Sequence, residues 1–195
     1  MAERSKREVR VIAGFLKGTR LRYPPGRAIR PTMQQTKAAV FDSIAGSVPG
    51  AVFLDLFAGA GGVGIEAVSR GAGFAHFVEN DHEAVRLLRE NLKACGLGRD
   101  RVSVHPVSVF DFLANANIRR IRPDIVYADP FYGGEDSAML LAFLGSLRYP
   151  MKCLIILEHS KDLILDENLP LERTKIRRFG GTWVSHFLPA GGGER

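Results

Sequence analysis

Residues 59–64, Gly-Ala-Gly-Gly-Val-Gly, satisfy the spacing G-x-G-x-x-G, and an acid, Glu79, follows Gly59 by 20 positions. Such a loop lets the backbone approach a ligand closely, while the acid accepts hydrogen bonds from ribose hydroxyls. A dinucleotide and S-adenosylmethionine need the same two services, because each carries an adenosine. The loop alone does not choose between them. A second cluster, Asp129-Pro130-Phe131-Tyr132, closes the stretch VYADPFY. Its groups suit an exocyclic amino nitrogen, whose lone pair is delocalised into the ring and is a poor nucleophile. Asp129 and the carbonyl of Pro130 would accept its N–H bonds and fix it in line with an electrophile. Phe131 or Tyr132 would stack on the base, worth ~1–3 kcal/mol. Unstacking the base to reach such a site costs roughly a few kcal/mol.

Two neighbouring features favour the methyl donor. Asp55 precedes the loop by four residues in Asp55-Leu56-Phe57-Ala58-Gly59. An anion there repels a pyrophosphate but suits the ammonium of a methionine moiety. The loop also starts some way into the chain, behind a basic segment for which a dehydrogenase has no need. Asp55, Phe57, Gly59, Gly61 and Glu79 are therefore the candidate cofactor contacts. Asp129, Pro130, Phe131 and Tyr132 are the candidate catalytic group.

Ligands of open α/β sheets bind beyond the carboxyl ends of the strands, and the elements around these residues read that way. Residues 51–56, 74–79, 101–105, 124–128 and 153–158 are apolar, strand-like runs. Helical patterns alternate with them, among them one capped by Asn80 or Asp81 and ending at Gly96. This alternation predicts a mostly parallel sheet with helices on both faces. Residues 9–23 predict an N-terminal β-hairpin, and Thr32 is expected to cap a helix over 33–45 with Ala39, Val40 and Ile44 on its apolar side. A closing hairpin is expected to turn at Gly180-Gly181. The expected division is an N-terminal hairpin and helix extension over 1–46, a catalytic domain over 47–190 and a flexible tail over 191–195.

Composition narrows the partners. Hydrophobic residues make up 46% and charged residues 25% of 195 positions, as in an ordinary globular domain. No apolar run suits a membrane span or a secretory signal, and Cys95 and Cys153 provide no disulfide framework, so a cytoplasmic, monomeric protein is expected. The five histidines are scattered, and no metal set is expected. Residues 1–30 hold nine basic side chains and two acids, leaving the other 165 residues near −1 out of the net +6. A basic arm on a near-neutral body points to a phosphate backbone. Arg10, Lys17, Arg20, Arg30 and, further on, Lys37 are the candidate RNA contacts. Arg173, Lys175, Arg177 and Arg178 read as a solvated strand face able to extend the basic surface, and Trp183 reads as packing.

With these residues in hand, the chain resembles the RsmD-type family of 16S rRNA guanine-N2 methyltransferases. The likeness runs from Arg10-Val11-Ile12-Ala13-Gly14, Lys17-Gly18 and Arg30-Pro31-Thr32 through LDLFAGAGGVGIEAVSRGA, FVENDHEAV and VYADPFY to FGGTWVSHF. It implies the class I methyltransferase (Rossmann-like) fold: a seven-stranded, mostly parallel sheet with an N-terminal β-hairpin and helix extension. It also implies S-adenosylmethionine as cofactor, and 16S rRNA or the small ribosomal subunit as partner. By position, Asp55, Gly59 and Gly61 match the methionine-binding loop, Glu79 the ribose acid, and Asp129-Pro130 the amino-group clamp. Ser108 stands where the family places an Asp or Asn for the adenine amino group, and Phe131 where it places a second proline. Rival readings are a DNA adenine amino-methyltransferase, a dinucleotide-dependent oxidoreductase, and a weakly active RNA-binding assembly factor with the same fold.

Overall fold

A computed structural model describes residues 9–24, 31–115, 120–130, 134–147 and 153–190. Arg30, Phe131, Tyr132 and the tail over 191–195 lie outside the described residues. The apolar runs become β3 (Val52–Leu56), β4 (Phe74–Val78), β5 (Val102–His105), β6 (Ile125–Ala128) and β7 (Leu154–His159). Between them lie α2 (Gly62–Ser69), α3 (His82–Ala94), α4 (Val109–Ala114) and α5 (Gly134–Ser146). Before them come β1 (Val9–Arg10), β2 (Arg20–Leu21) and α1 (Pro31–Ser43); β8 (Leu171–Phe179) and β9 (Thr182–Pro189) close the chain. Among the described residues no helix is long and apolar enough to cross a membrane.

The seven-stranded sheet has the order β5-β4-β3-β6-β7-β9-β8. β3 to β7 are parallel, and β9 and β8 add antiparallel at one edge. From β3 the chain steps outward to β4 and β5, then returns to place β6 on the other side of β3. That reversal opens a crevice beyond the carboxyl ends of β3 and β6. Alternation along each strand divides the core. Phe53, Ile125, Tyr127 and Ile156 face α1, α2 and α3, while Leu54, Val126, Ile155 and Leu157 face α4 and α5. Cys153 is fully buried in the second cluster.

α1 departs from expectation. It opens at Pro31, so Thr32 lies within its first turn and is not its cap. Proline is suited to the first helical position because its missing N–H would have no partner there. Its inward side carries Thr36, Lys37, Val40 and Phe41, whereas Ala39 is only half-buried and Ile44 packs from just beyond the helix end. The cap of α3 is Asp81, whose carboxylate accepts from the Ala84 N–H.

One side chain fastens the N-terminal hairpin to the sheet. Glu66 on α2 is 0% exposed. Its carboxylate accepts from the N–H groups of Ile12 and Ala13 at 2.8 and 2.9 Å. It also pairs with the Lys37 ammonium at 3.3 Å and Arg70 Nε at 2.9 Å. Beside it, Ser69 Oγ donates to the Ala13 carbonyl and accepts from the Leu16 N–H. Gly14 lies so close that a Cβ there would sit 1.7 Å from the Ser69 carbonyl oxygen. Asn91 of α3 completes the attachment by exchanging bonds with the backbone of Arg22. Breaking a buried ion pair from one side costs about 3–5 kcal/mol, because the remaining charge is stranded. Glu66→Gln should therefore lower the denaturation free energy by about that much, and amide exchange at Ile12 and Ala13 should accelerate. An unchanged denaturation midpoint would show that the hairpin is held elsewhere.

Candidate active site

The crevice at the switch point collects four carboxylates from the strand ends. Asp55 lies in β3, Glu79 follows β4, Asp129 follows β6, and Glu158 lies near the end of β7. Register sets their order. Asp55 pairs with Tyr127, and Ala128 with Leu157, so Asp129 and Glu158 come next, side by side. Asp55 is 2% exposed and accepts from the Gly64 N–H at 2.8 Å. Burial pushes its carboxyl up to about 7; the Gly64 bond opposes this, and the charges of Asp129 and Glu79 add to it. Burial and Asp129 likewise raise Glu158 to about 8, although the Tyr127 hydroxyl donates to its Oε1. Asp55, Asp129 and Glu158 thus share one electrostatic field, which favours a cationic guest.

The glycine loop is shaped on both sides. Gly59 and Gly61 have φ of 55° and 85°, the left-handed region that glycine enters without strain. A Cβ on Gly61 would press within 2.4 Å of Leu88 Cδ1, so that glycine keeps the loop against α3. A Cβ on Gly59 would meet nothing within 4 Å, leaving that face of the loop open to a ligand. Phe57, another expected contact, also has positive φ, 59°. An aromatic residue there stores roughly 1–3 kcal/mol, and such strain concentrates at ligand sites. Glu79 is 8% exposed. Its Oε2 accepts from the Gly59 N–H at 2.7 Å, and its Oε1 from the N–H groups of Asn80 and Asp81. An open glycine cradle between a buried anion and a strand-end acid fits the ammonium and ribose of an adenosyl amino acid.

The other expected residues divide. Asp129 is exposed and Pro130 half-buried at the crevice mouth. Ser108 caps α4, its hydroxyl accepting from the Asp111 N–H and donating to the Asp111 carboxylate. Arg10, Lys17 and Arg20 are exposed on the hairpin. The hairpin's tip meets Ser69 at the last turn of α2, whereas the glycine loop adjoins the first, so Lys17 lies away from the crevice. Lys37 is a correction. Its ammonium is buried against Glu66 and also reaches the carbonyl of Gly62 at 3.3 Å, so it has no surface to offer RNA.

Several functional residues escape the sequence reading. Glu158 ends an apolar strand run with an acid, as Glu79 does, and that pattern is its signal. Glu66 is an acid inside the apolar stretch GVGIEAVS, which marks a buried partner. Tyr23 has no such signal, yet its hydroxyl lies over the start of α2, 2.0 Å from where a Gly62 Cβ would be. Burial, with the Asp55 charge second, raises its pKa. Strand pairing also joins two of the scattered histidines, His76 Nδ1 lying 3.1 Å from His105 Nε2. Among the described residues no group of three or more potential ligands is placed to hold a metal ion.

Comparison with known proteins matches this arrangement. A family model described as "Conserved hypothetical protein 95" spans residues 9–188. A Bacillus subtilis protein named "Putative rRNA methyltransferase YlbH" is 31% identical over 94% of this chain and 100% of its own. The Haemophilus influenzae "Ribosomal RNA small subunit methyltransferase D" is 31% identical over 88% of this chain and 90% of its own. A solved Escherichia coli structure, "Putative methyltransferase yhhF", superposes with a TM-score of 0.79 at 22% identity, covering 94% and 99% of the two chains. At that identity the superposition speaks to the fold, which is the class I methyltransferase (Rossmann-like) sheet.

The raised Asp55 has a consequence for stability. Its folded pKa of about 7 exceeds the ordinary 3.8, so the folded state holds the proton more tightly and stability falls as pH rises between those values. Asp55→Asn keeps an acceptor for Gly64 and removes the charge. Calorimetry should find it melting above wild type at about pH 8, with the gap closing toward about pH 4.5. A pH-independent gap would show that charge burial at Asp55 is not the cause.

Proposed function

This chain belongs to the RsmD-type methyltransferase family, and from that premise we propose that it methylates the exocyclic N2 amino group of a guanine in 16S ribosomal RNA, with S-adenosylmethionine as donor. One observation carries the reading: adjacent strands β3 and β6 bring the glycine loop with Asp55 beside Asp129-Pro130 at the switch point. A site for an adenosyl amino acid therefore adjoins a site for an amino nitrogen. The relatives' names support the acceptor class: both specify ribosomal RNA, and that of the Haemophilus influenzae protein specifies the small subunit.

When bound, S-adenosylmethionine supplies a methyl group on a positively charged sulfur. Asp55 would accept hydrogen bonds from its methionine ammonium, and Glu79 from its ribose hydroxyls. Asp129 and the Pro130 carbonyl hold the two N–H bonds of the guanine amine, orienting its lone pair toward the methyl carbon. Asp129 would take the proton that the nitrogen loses on methylation. Stacking on Phe131 or Tyr132 offsets the cost of unstacking the base. Two carboxyls with raised pKa, Asp55 and Glu158, lie on the strands either side of the one that ends at Asp129, and suit a site whose ligand is cationic.

Incubation with methyl-labelled S-adenosylmethionine and unmodified small ribosomal subunits, followed by nucleoside analysis, tests this directly. Label is expected in N2-methylguanosine; label only in N6-methyladenosine, or none despite S-adenosylhomocysteine binding, would overturn it. Asp129→Ala should slow transfer by about 100- to 10,000-fold while nearly preserving S-adenosylhomocysteine affinity. Loss of cofactor binding in that variant would count against the assigned role.

A further inference from the structure

We propose that the edge strand β8 and the turn joining it to β9 form an RNA-guiding surface beside the catalytic crevice, with Arg177 and Arg178 holding phosphates and Trp183 offering a stacking face. This rests on the RNA reading above and names the part of the molecule that recognises the strand flanking the target base.

Topology places the surface. β9 runs antiparallel to β7, pairing Glu158 with Val184 and His159 with Trp183. β8 then pairs Arg177 with Val184 and Arg178 with Trp183. The β8–β9 turn at Gly180 and Gly181 therefore stands at the same sheet edge as Asp129. The row Asp129, Glu158, Val184, Arg177 crosses three inter-strand steps of ~4.8 Å, about 14 Å in all. At a rise of ~3.4 Å per nucleotide, that is about four nucleotides along a stacked strand.

The charge is predominantly positive. Residues 172–178, ERTKIRR, carry four cations and one acid. Arg173, Arg177 and Arg178 are exposed and Lys175 half-buried. Among the described residues none of the four forms an ion pair, in contrast to Arg22 and Arg86, which share Glu90, and to Lys37 and Arg70, which share Glu66. Arg178 is also held in place: its Nε donates to the Gly180 carbonyl at 2.8 Å, and its guanidinium lies 6.0 Å from the centre of the Trp183 ring. A tethered guanidinium above a half-buried indole is pre-organised for a phosphate and a neighbouring base.

Charged edge strands also serve to prevent sheet-to-sheet pairing. That role asks for neither an aromatic ring nor a position at the catalytic edge, and the two accounts separate by experiment. Trp183 is the sole tryptophan, so its emission reports on this surface in the unaltered chain. Titration with naked 16S rRNA should quench it, and binding to unmodified small subunits is followed by co-sedimentation. The Arg177→Gln/Arg178→Gln variant should bind the same RNA at least tenfold more weakly, with a slope of log affinity against log salt shallower by about 1.4–1.8. Its melting temperature and S-adenosylhomocysteine affinity should match wild type, and Arg177→Lys/Arg178→Lys should restore the slope. Wild-type affinity and slope in the Gln variant, or emission unchanged while RNA binds, would overturn the proposal and leave β8 as a protected edge. Failure of the wild-type chain to bind either RNA would instead overturn the reading beneath it.

Discussion

A carboxylate buried without compensation costs several kcal/mol, and Glu66 is buried completely. Its oxygens are satisfied only because three segments meet there: the hairpin supplies two backbone N–H groups, α1 supplies Lys37, and the residue capping the end of α2 is Arg70. Lys37 is constrained in turn, since burial lowers its pKa while Glu66 raises it. Having given its charge to Glu66, its ammonium also bonds the carbonyl of Gly62. The N-terminal extension is thereby tied to the first turn of α2 and, through that turn, to the loop that faces the crevice. Hairpin and catalytic sheet share one core, with Val11 and Leu21 packed alongside Phe53 and Phe77.

At the crevice the polarity is opposite. Asp55, Asp129 and Glu158 crowd one edge, and burial with mutual repulsion drives the first and last toward their neutral forms. Fold stability would be better served by apolar groups at Asp55 and Glu158. What the arrangement provides is a field awaiting positive charge, in a place where the low dielectric strengthens every Coulombic contact. Left-handed Phe57 has the same character: local strain held by a well-packed frame. The rigid Glu66 junction and the strained crevice lie at the two ends of the same short chain, β3–loop–α2.

What was legible in the sequence follows from how each signal is written. Apolar runs bounded by glycine or an acid marked β3, β4, β6 and β7 to within a residue or two, because a strand buried on both faces has no alternation to misread. The acids ending two of those runs, Glu79 and Asp129, stood out because a carboxylate after an apolar strand has few structural uses. Lys37 was misread for the converse reason. A charge count along the chain cannot see that Thr36, Lys37, Val40 and Phe41 share the inward side of α1, so a buried cation was pooled with a solvated arm. Thr32 was expected as a cap because its residue type suits one, but Pro31 opens the helix a position earlier. Tyr23 was invisible, since nothing nearby in the sequence announces that the chain doubles back over Gly62.

The two sides of the crevice are organised by different means. On the β3–β4 side the loops after the strands are held by hydrogen bonds that Glu79 and Asp55 accept from Gly59, Asn80, Asp81 and Gly64 and that Asn91 donates to Ala60. These fix shape and leave little charge outside. On the β6–β7 side the sheet continues into an antiparallel hairpin, and here handedness of connection matters. β8, the strand after β7, runs the same way as β7 because each is antiparallel to β9, so the chain between them returns to the opposite edge before β8 begins. β9, inserted between the two, then follows a two-glycine turn that stands, with Arg178 and Trp183 beside it, at the edge where Asp129 lies. Among the described residues of the N-terminal arm, Lys17 sits at a hairpin tip beside the far end of α2, whereas the basic cluster of β8 ends at the sheet edge where Asp129 stands.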